Sequence, residues 1–399
     1  MDSVRSPGVL EWIFTFVAFL VIGVAALLLY YISVPVDADG MGRYAFTVLS
    51  RPGLTIFPAV ICLVFLIIAL IRKWFLATLG YLVLLILVLY LMLWPSLTLK
   101  KAAKSWNVPV SIGQALSYQF NTANAAGIMT IKYGIPADSS DLLMDYWPSI
   151  KKDTGFRPVI VKVHGGGWVA GSRKELTAWN RWFNELGYDV FDLDYRLPPP
   201  ERWQDQTGDI KSAIGWLVNN AQQFRIDTGR IIMMGNSAGA SLALLAAYSY
   251  NDFRLPPSCD VPHARVRAVV DIYGPSDMAM LYATTGSTSL ANYGLQRYIG
   301  GAPVDFRERY DMVSPVAHVT PSSPATLIIH GEKDRIVPVT QSLILANALK
   351  KAGVPYEFYS LPYTDHSFDF NWNSIASQIA REEISQFLEK VNNQKSIGN

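Results

Sequence analysis

The pentapeptide Gly235-Asn236-Ser237-Ala238-Gly239 stands between a short apolar run, Ile231–Met234, and a stretch of small and apolar residues from Ala238 to Tyr248. A serine that acts as a nucleophile needs a sharp strand-to-helix turn to expose its oxygen, and flanking glycines leave room for the strained backbone. The helix N-terminus behind it favours negative charge developing nearby. A lone G-x-S-x-G pattern also arises by chance, so its strand–turn–helix setting carries the weight. A second motif, His164-Gly165-Gly166-Gly167-Trp168, follows the run Val159–Val163. A tight turn at positive φ would need one glycine or two. Three in a row suit a place where backbone N–H groups approach an oxygen closely. The amides of Gly165, Gly166 and Ala238 are therefore the candidate oxyanion hole.

A general base must come from five histidines. His164 belongs to the glycine motif, where its ring is expected to fix the loop. His330, at a strand end, reads as structural, and neither His263 nor His318 sits in a motif. His366, in Thr364-Asp365-His366-Ser367-Phe368, falls between the last strand and the last helix, where a base can reach over the strand ends. The orienting acid is sought after the preceding strand, in Gly331-Glu332-Lys333-Asp334-Arg335. Asp334 would accept the imidazole N–H and hold its tautomer. Glu332, Asp277 and Asp365 are rivals; Asp365 reads as a solvated charge too close in sequence to fold onto the ring. The candidate order is Ser237, Asp334, His366.

These residues need a frame. From about Gly127 short β-branched runs alternate with longer helical ones, the pattern of a parallel sheet covered by helices. Strands are expected at Ile128–Tyr133, Leu142–Trp147, Val159–Val163, Val190–Leu193, Ile231–Met234, Val266–Tyr273, Thr326–Ile329 and Tyr356–Leu361. Helices are expected at Glu175–Leu186, Gln206–Gln223, Ala238–Tyr248 and Ser374–Val391. The insert from Ser276 to Pro315 reads as a lid or pocket element. Its Tyr282, Tyr293 and Tyr298 could line an acyl pocket or pack a core.

With these elements in this order, the chain from Gly127 onward resembles the α/β-hydrolase superfamily. It is most similar to the carboxylesterase/lipase branch with H-G-G-G beside G-x-S-x-G, which includes hormone-sensitive-lipase-like and feruloyl-esterase-like enzymes. Leu143–Pro148, Asp194-Tyr195-Arg196-Leu197, Tyr273–Asp277 and Ser314-Pro315 fit that branch. Asn236 replaces the acidic residue usual in the hormone-sensitive-lipase-like group, and Glu332–Pro338 is closer to the feruloyl-esterase or peptidase style. The resemblance implies a serine hydrolase that cleaves carboxylic esters through an acyl-enzyme, without metal or other cofactor. An amide hydrolase of the deacetylase or formamidase kind would use the same triad. A silent binding protein on the fold would lack a triad member, and none is lacking here. The expected partner is a small-molecule or lipid acyl ester.

The front end of the chain differs in composition. Of 399 residues 51% are hydrophobic and 17% charged, against about 25% charged in ordinary soluble proteins. The first 99 residues hold five basic side chains (Arg5, Arg43, Arg51, Arg72, Lys73) and four acidic ones (Asp2, Glu11, Asp37, Asp39). A net charge of +2, nearly balanced in both parts, gives no sign of a polyanion binder, so no nucleic acid is expected. Cys62, inside an apolar run, and Cys259, in a Pro-rich loop, do not read as disulfide partners. Ile13–Ile32, Leu54–Ile71 and Trp74–Trp94 are apolar runs with Trp12, Tyr30, Tyr31, Trp74 and Trp94 at their ends, as expected of membrane spans. A cleaved signal peptide or buried core helices are the alternatives. The expectation is a three-helix membrane domain over residues 1–96, in contact with lipid, then a linker or interfacial segment over 97–126 and a catalytic domain over 127–399. Basic residues number five on the domain side and three on the other, which favours a cytoplasmic catalytic domain.

Overall fold

The computed structural model describes residues 8–33, 56–125, 127–151, 155–286 and 289–393. The Val34–Gly53 loop, with the Arg43 and Arg51 counted for orientation, lies outside them, as does Arg5.

Val9–Ser33 (α1), Ile56–Ile71 (α2) and Phe75–Ser105 (α3) are helices. Two of them, over Val9–Tyr30 and Phe75–Ser105, are long and apolar enough to cross a membrane. The second expected span is a helix of only 16 residues, about 24 Å at 1.5 Å per residue. Gly80 of α3 lets α1 come close: a Cβ there would lie 2.9 Å from the Ala18 Cβ. Phe14, Phe65, Trp74 and Tyr81 form an aromatic cluster between the helices.

α3 does not stop at Trp94. It continues through Pro95 to Ser105, although proline removes one rung of the helical ladder. Ser96 Oγ and Thr98 Oγ1 donate to the carbonyls of Met92 and Trp94 at 3.3 and 2.8 Å across that stretch. Leu99 and Ala103 then enter the same apolar core as Ile379, Ile384 and Phe387 of the last helix. The segment after Trp94 thus packs onto the domain through Leu99 and Ala103.

The remainder is one eight-stranded sheet: Met129–Gly134 (β1), Leu142–Trp147 (β2), Arg157–Val163 (β3), Asp189–Leu193 (β4), Ile226–Asn236 (β5), Ala268–Ile272 (β6), Ala325–Gly331 (β7) and Tyr356–Leu361 (β8). The spatial order is β1-β2-β4-β3-β5-β6-β7-β8. β1 and β2 are antiparallel to their neighbours, and β3 to β8 are mutually parallel. Central strands such as β4 and β6 are buried along their whole length, which is why they read as unbroken apolar runs. Two apolar cores, one on each face of the sheet, hold the helices Ala178–Leu186 (α4), Asp205–Asn219 (α5) and Ala238–Tyr248 (α6). The insert after β6 carries Met278–Thr284 (α7), Leu290–Ile299 (α8) and Pro303–Met312 (α9). Thr340–Ala352 (α10) and Ile375–Asn393 (α11) complete the domain.

Candidate active site

Parallel strands deliver their carboxyl ends to one edge, and the chemistry-bearing residues collect there. Ser237 joins β5 to α6 with φ 54° and ψ −128°, a conformation that costs on the order of 1–3 kcal/mol for a residue with a side chain. Its amide donates to the Ile272 carbonyl at 2.9 Å, which ties the turn to β6. Both glycines of the motif are sterically required. A Cβ on Gly235 would lie 2.3 Å from the Gly239 carbonyl oxygen, and one on Gly239 would lie 2.2 Å from that of Val163. The turn is wedged between its own helix and β3, which leaves the serine hydroxyl at the edge.

His366 sits in the loop between β8 and α11. Its Nε2 is 3.0 Å from Ser237 Oγ, and its Nδ1 is 2.7 Å from Asp334 Oδ2. The other carboxylate oxygen of Asp334 accepts from the amides of Ile336 and Val337 at 2.9 and 2.7 Å. Burial works to raise the Asp334 carboxyl, but His366 and His330 beside it outweigh burial and hold it well below the usual carboxylate range. The same carboxylate acts on His366: burial would lower its imidazole, and the Asp334 charge prevails and raises it above 6.5. The acid thus stays ionised and the imidazole is held in one orientation.

Two supports had no clear signal in the sequence. His330 is fully buried, with Nε2 3.2 Å from Asp334 Oδ2 and Nδ1 2.7 Å from Ser342 Oγ. Its ring therefore touches the acid itself. Asp365 is not a solvated charge as expected. It is buried and paired with the Arg335 guanidinium, and it accepts from the amides of Arg335 and His366. Burial is the main reason its carboxyl is pushed up to about 6. This pair binds the loop carrying Asp334 to the loop carrying His366. Beneath the imidazole, the Tyr273 ring lies 4.6 Å away, its hydroxyl donating to Asp369, which also accepts from Trp179 Nε1 at 3.0 Å. Of the remaining rivals, Asp277 caps α7 through the Met280 amide, and Glu332 accepts from the Ser360 hydroxyl at 3.3 Å. His263 and His318 bond to the carbonyls of Tyr250 and Met312.

The glycine loop leans on the serine turn. A Cβ at Gly165 would lie 2.9 Å from the Asn236 carbonyl oxygen and 3.4 Å from Ser237 Cβ. Gly166 has φ 114°, and a Cβ there would lie 2.0 Å from the Ala170 carbonyl oxygen. Ala238 opens α6, so its own amide has no intrahelical acceptor. His164 closes the loop from behind. Its ring stacks on Tyr195 at 4.2 Å, and its Nδ1 donates to the Gly165 carbonyl at 2.7 Å. Burial pushes this imidazole down to about 4, so it is neutral. Arg173 is held behind the loop by Asp145 and Asp194.

The insert covers this edge. Gly294 of α8 touches the glycine loop directly, since a Cβ there would lie 2.4 Å from the Gly167 carbonyl oxygen. Tyr298 stacks on Trp168 at 5.5 Å and donates to the Trp203 carbonyl, and Tyr282 packs edge-on against Tyr310. These two are packing residues, whereas Tyr293 is exposed. Chemically, the assembly offers a hydroxyl, an imidazole able to take its proton, a carboxylate to steady the resulting charge, and amides beside the attack point.

A model of the BD-FAE family matches residues 144–349, just over half of the chain and including Ser237 and Asp334. The probable carboxylic ester hydrolase LipM of Mycobacterium tuberculosis (strain ATCC 25618 / H37Rv) is 30% identical over 252 residues, 62% of this chain and 58% of its own length. Esterase LipQ of the same organism is 32% identical over 267 residues, 66% of this chain and 62% of its own length. The chain thus spans about three-fifths of these curated relatives. Among solved structures, a truncated carbohydrate esterase from gut microbiota superposes with a TM-score of 0.57 at 23% identity, covering 68% of this chain and 99% of that one. The fold is that of the α/β-hydrolases.

Proposed function

Because the chain belongs to the BD-FAE family, we propose that it hydrolyses carboxylic esters by a Ser–His–Asp acyl-enzyme route and that its N-terminal helices anchor it in a membrane. The observation that carries the first part is the relay from Ser237 Oγ through His366 to Asp334, with steps of 3.0 and 2.7 Å. Ser237 Oγ attacks the ester carbonyl while His366 Nε2 takes its proton. Asp334 keeps the Nδ1 proton facing itself and stabilises the imidazolium without becoming protonated. The amides of Gly165, Gly166 and Ala238 receive the oxyanion. Loss of one such donor typically costs about 10²–10³ in rate. His366 then returns its proton to the departing alkoxide. A water molecule, deprotonated by the same imidazole, attacks the acyl-serine and releases the carboxylic acid and free Ser237. The two M. tuberculosis relatives, named as ester hydrolases, support the choice of an ester over an amide.

The anchor reading is supported by the length and composition of α1 and α3. The shorter α2 packs against both through Phe65, which meets Phe14 and Tyr81, and would make a third, tightly fitted span. The decisive experiment is covalent labelling of the membrane-extracted full chain with a fluorophosphonate, beside turnover of p-nitrophenyl butyrate. Wild type labels and turns over, whereas Ser237→Ala does neither. Full labelling of Ser237→Ala would falsify the assignment.

A further inference from the structure

α3 passes β8 in the opposite direction. Trp106, just past the end of α3, packs edge-on against Tyr359 in mid-strand, ring centroids 5.3 Å apart. Earlier in the helix by about three turns, Trp94 Nε1 donates at 3.1 Å to the hydroxyl of Tyr363, which lies past the end of β8. Moving back along α3 therefore leads to the carboxyl end of β8 and then beyond it. Strands β3 to β8 are all parallel, so this is the edge from which Gly165, Ser237, Asp334 and His366 project. The stretch from Phe75 to Trp94, about 30 Å long at 1.5 Å per residue, matches a hydrocarbon core and extends outward from that same edge.

From this direction we propose that the catalytic edge faces the bilayer entered by α3, and that the ester is a long-acyl lipid taken from the membrane surface. The proposal rests on the esterase and anchor reading above and names the substrate class and partner of that site. The domain's surface at this edge is apolar where the membrane would meet it. Phe120 is 61% exposed and pairs by a backbone bridge with Asn371, next to the exposed Phe370 in the loop that follows His366. Leu290, 63% exposed, opens the helix that rests on the glycine loop. Tyr90 and Trp94, stacked at 5.4 Å and exposed, stand at the junction, where amphipathic rings prefer the headgroup layer. Trp94 bonds to the very loop that carries His366, so the spanning helix meets the domain at the catalytic edge.

The test uses the full chain in phosphatidylcholine nanodiscs with two variants outside the catalytic residues, Phe120→Asp and Leu290→Asp. An aspartate at 290 suits the first turn of α8 and preserves the helix. Turnover of a palmitoyl ester embedded in the disc is expected to fall at least tenfold, on the order of what one charge costs at an apolar membrane contact. Turnover of p-nitrophenyl butyrate supplied from water is expected to stay within twofold of wild type. Unchanged hydrolysis of the embedded ester in both variants overturns the proposal. If a variant loses both activities, the decision passes to Phe370→Cys carrying a bimane, in a chain with Cys62→Ser and Cys259→Ala. Quenching of that dye by brominated lipid supports a membrane-facing edge, and fluorescence indifferent to brominated lipid overturns it. Full turnover of both esters by Ser237→Ala would strike the esterase reading instead.

Discussion

The helical bundle and the sheet domain are built from the same apolar residue types, but the bundle leaves far more of them exposed. In the bundle many large side chains face out: Phe16 is 68% exposed and Leu20 59%, while Ala18, Ala69 and Ala77 are buried together with Leu66, Tyr81 and Leu84. In the sheet, Val159, Ile160, Val161, Ile232 and Met233 are fully buried. Removal of apolar surface from water drives the second arrangement. The exposed apolar side chains of the first gain nothing from it. Close contact between small residues, such as Gly80 against Ala18, is a packing mode that membrane helices share. The two regions thus follow different rules, and α3 belongs to both.

Substitutions can test whether that division is real. The largest effect is expected from Ser237→Ala, a loss of kcat on the order of 10⁶-fold with membrane integration unchanged, read by ester turnover beside carbonate extraction of membranes. Loss of integration in this variant would deny the independence of the two regions. Next comes Leu20→Lys. On a water-facing surface it would be harmless, but at a lipid-facing site it should cost about 2.5–3.5 kcal/mol of insertion free energy. The integrated fraction should drop, with kcat for a soluble ester preserved in the molecules that insert. A smaller effect is expected from Gly294→Ala, whose new methyl would collide with the Gly167 carbonyl. Overpacking of this kind costs about 1–3 kcal/mol, and here it should lower kcat more than it raises KM. The smallest is a pH effect. His366 must be neutral to accept the Ser237 proton, and the Asp334 charge raises its pKa. The acid limb of kcat/KM should therefore have its midpoint above 6.5, with activity gained as pH rises through it. A midpoint below 6.5 would remove Asp334 from that role.

Much of the candidate site is legible in the sequence because its demands are local. A serine between two glycines at a strand–helix junction, three glycines after an apolar run, and a histidine before the last helix each follow from backbone geometry within a few residues. The strands were legible for the same reason: burial on both faces leaves unbroken runs such as Val159–Val163. What escaped depends on pairs remote in sequence. His330 touches Asp334 only because the chain turns back after β7, and nothing in its own neighbourhood separates it from an ordinary core histidine. Asp365 read as a solvated charge because its partner, Arg335, is brought close only by the pairing of β7 with β8. The continuation of α3 beyond Trp94 was masked by Pro95, a residue that usually ends helices. Here the packing of Leu99 and Ala103 into the domain core outweighs one missing backbone hydrogen bond.

That unbroken helix also makes chain length a coordinate. Residues before Trp94 are gripped by the bundle and residues from Leu99 onward by the sheet domain, so the few positions between them act like the thread of a screw. One residue inserted there would rotate the domain by about 100° and lift it by about 1.5 Å. Seven would bring the angle back to within about 20° but raise the domain by about 10 Å. The azimuth of the domain about the helix axis is therefore set by a count of residues in a stretch that carries no catalytic group.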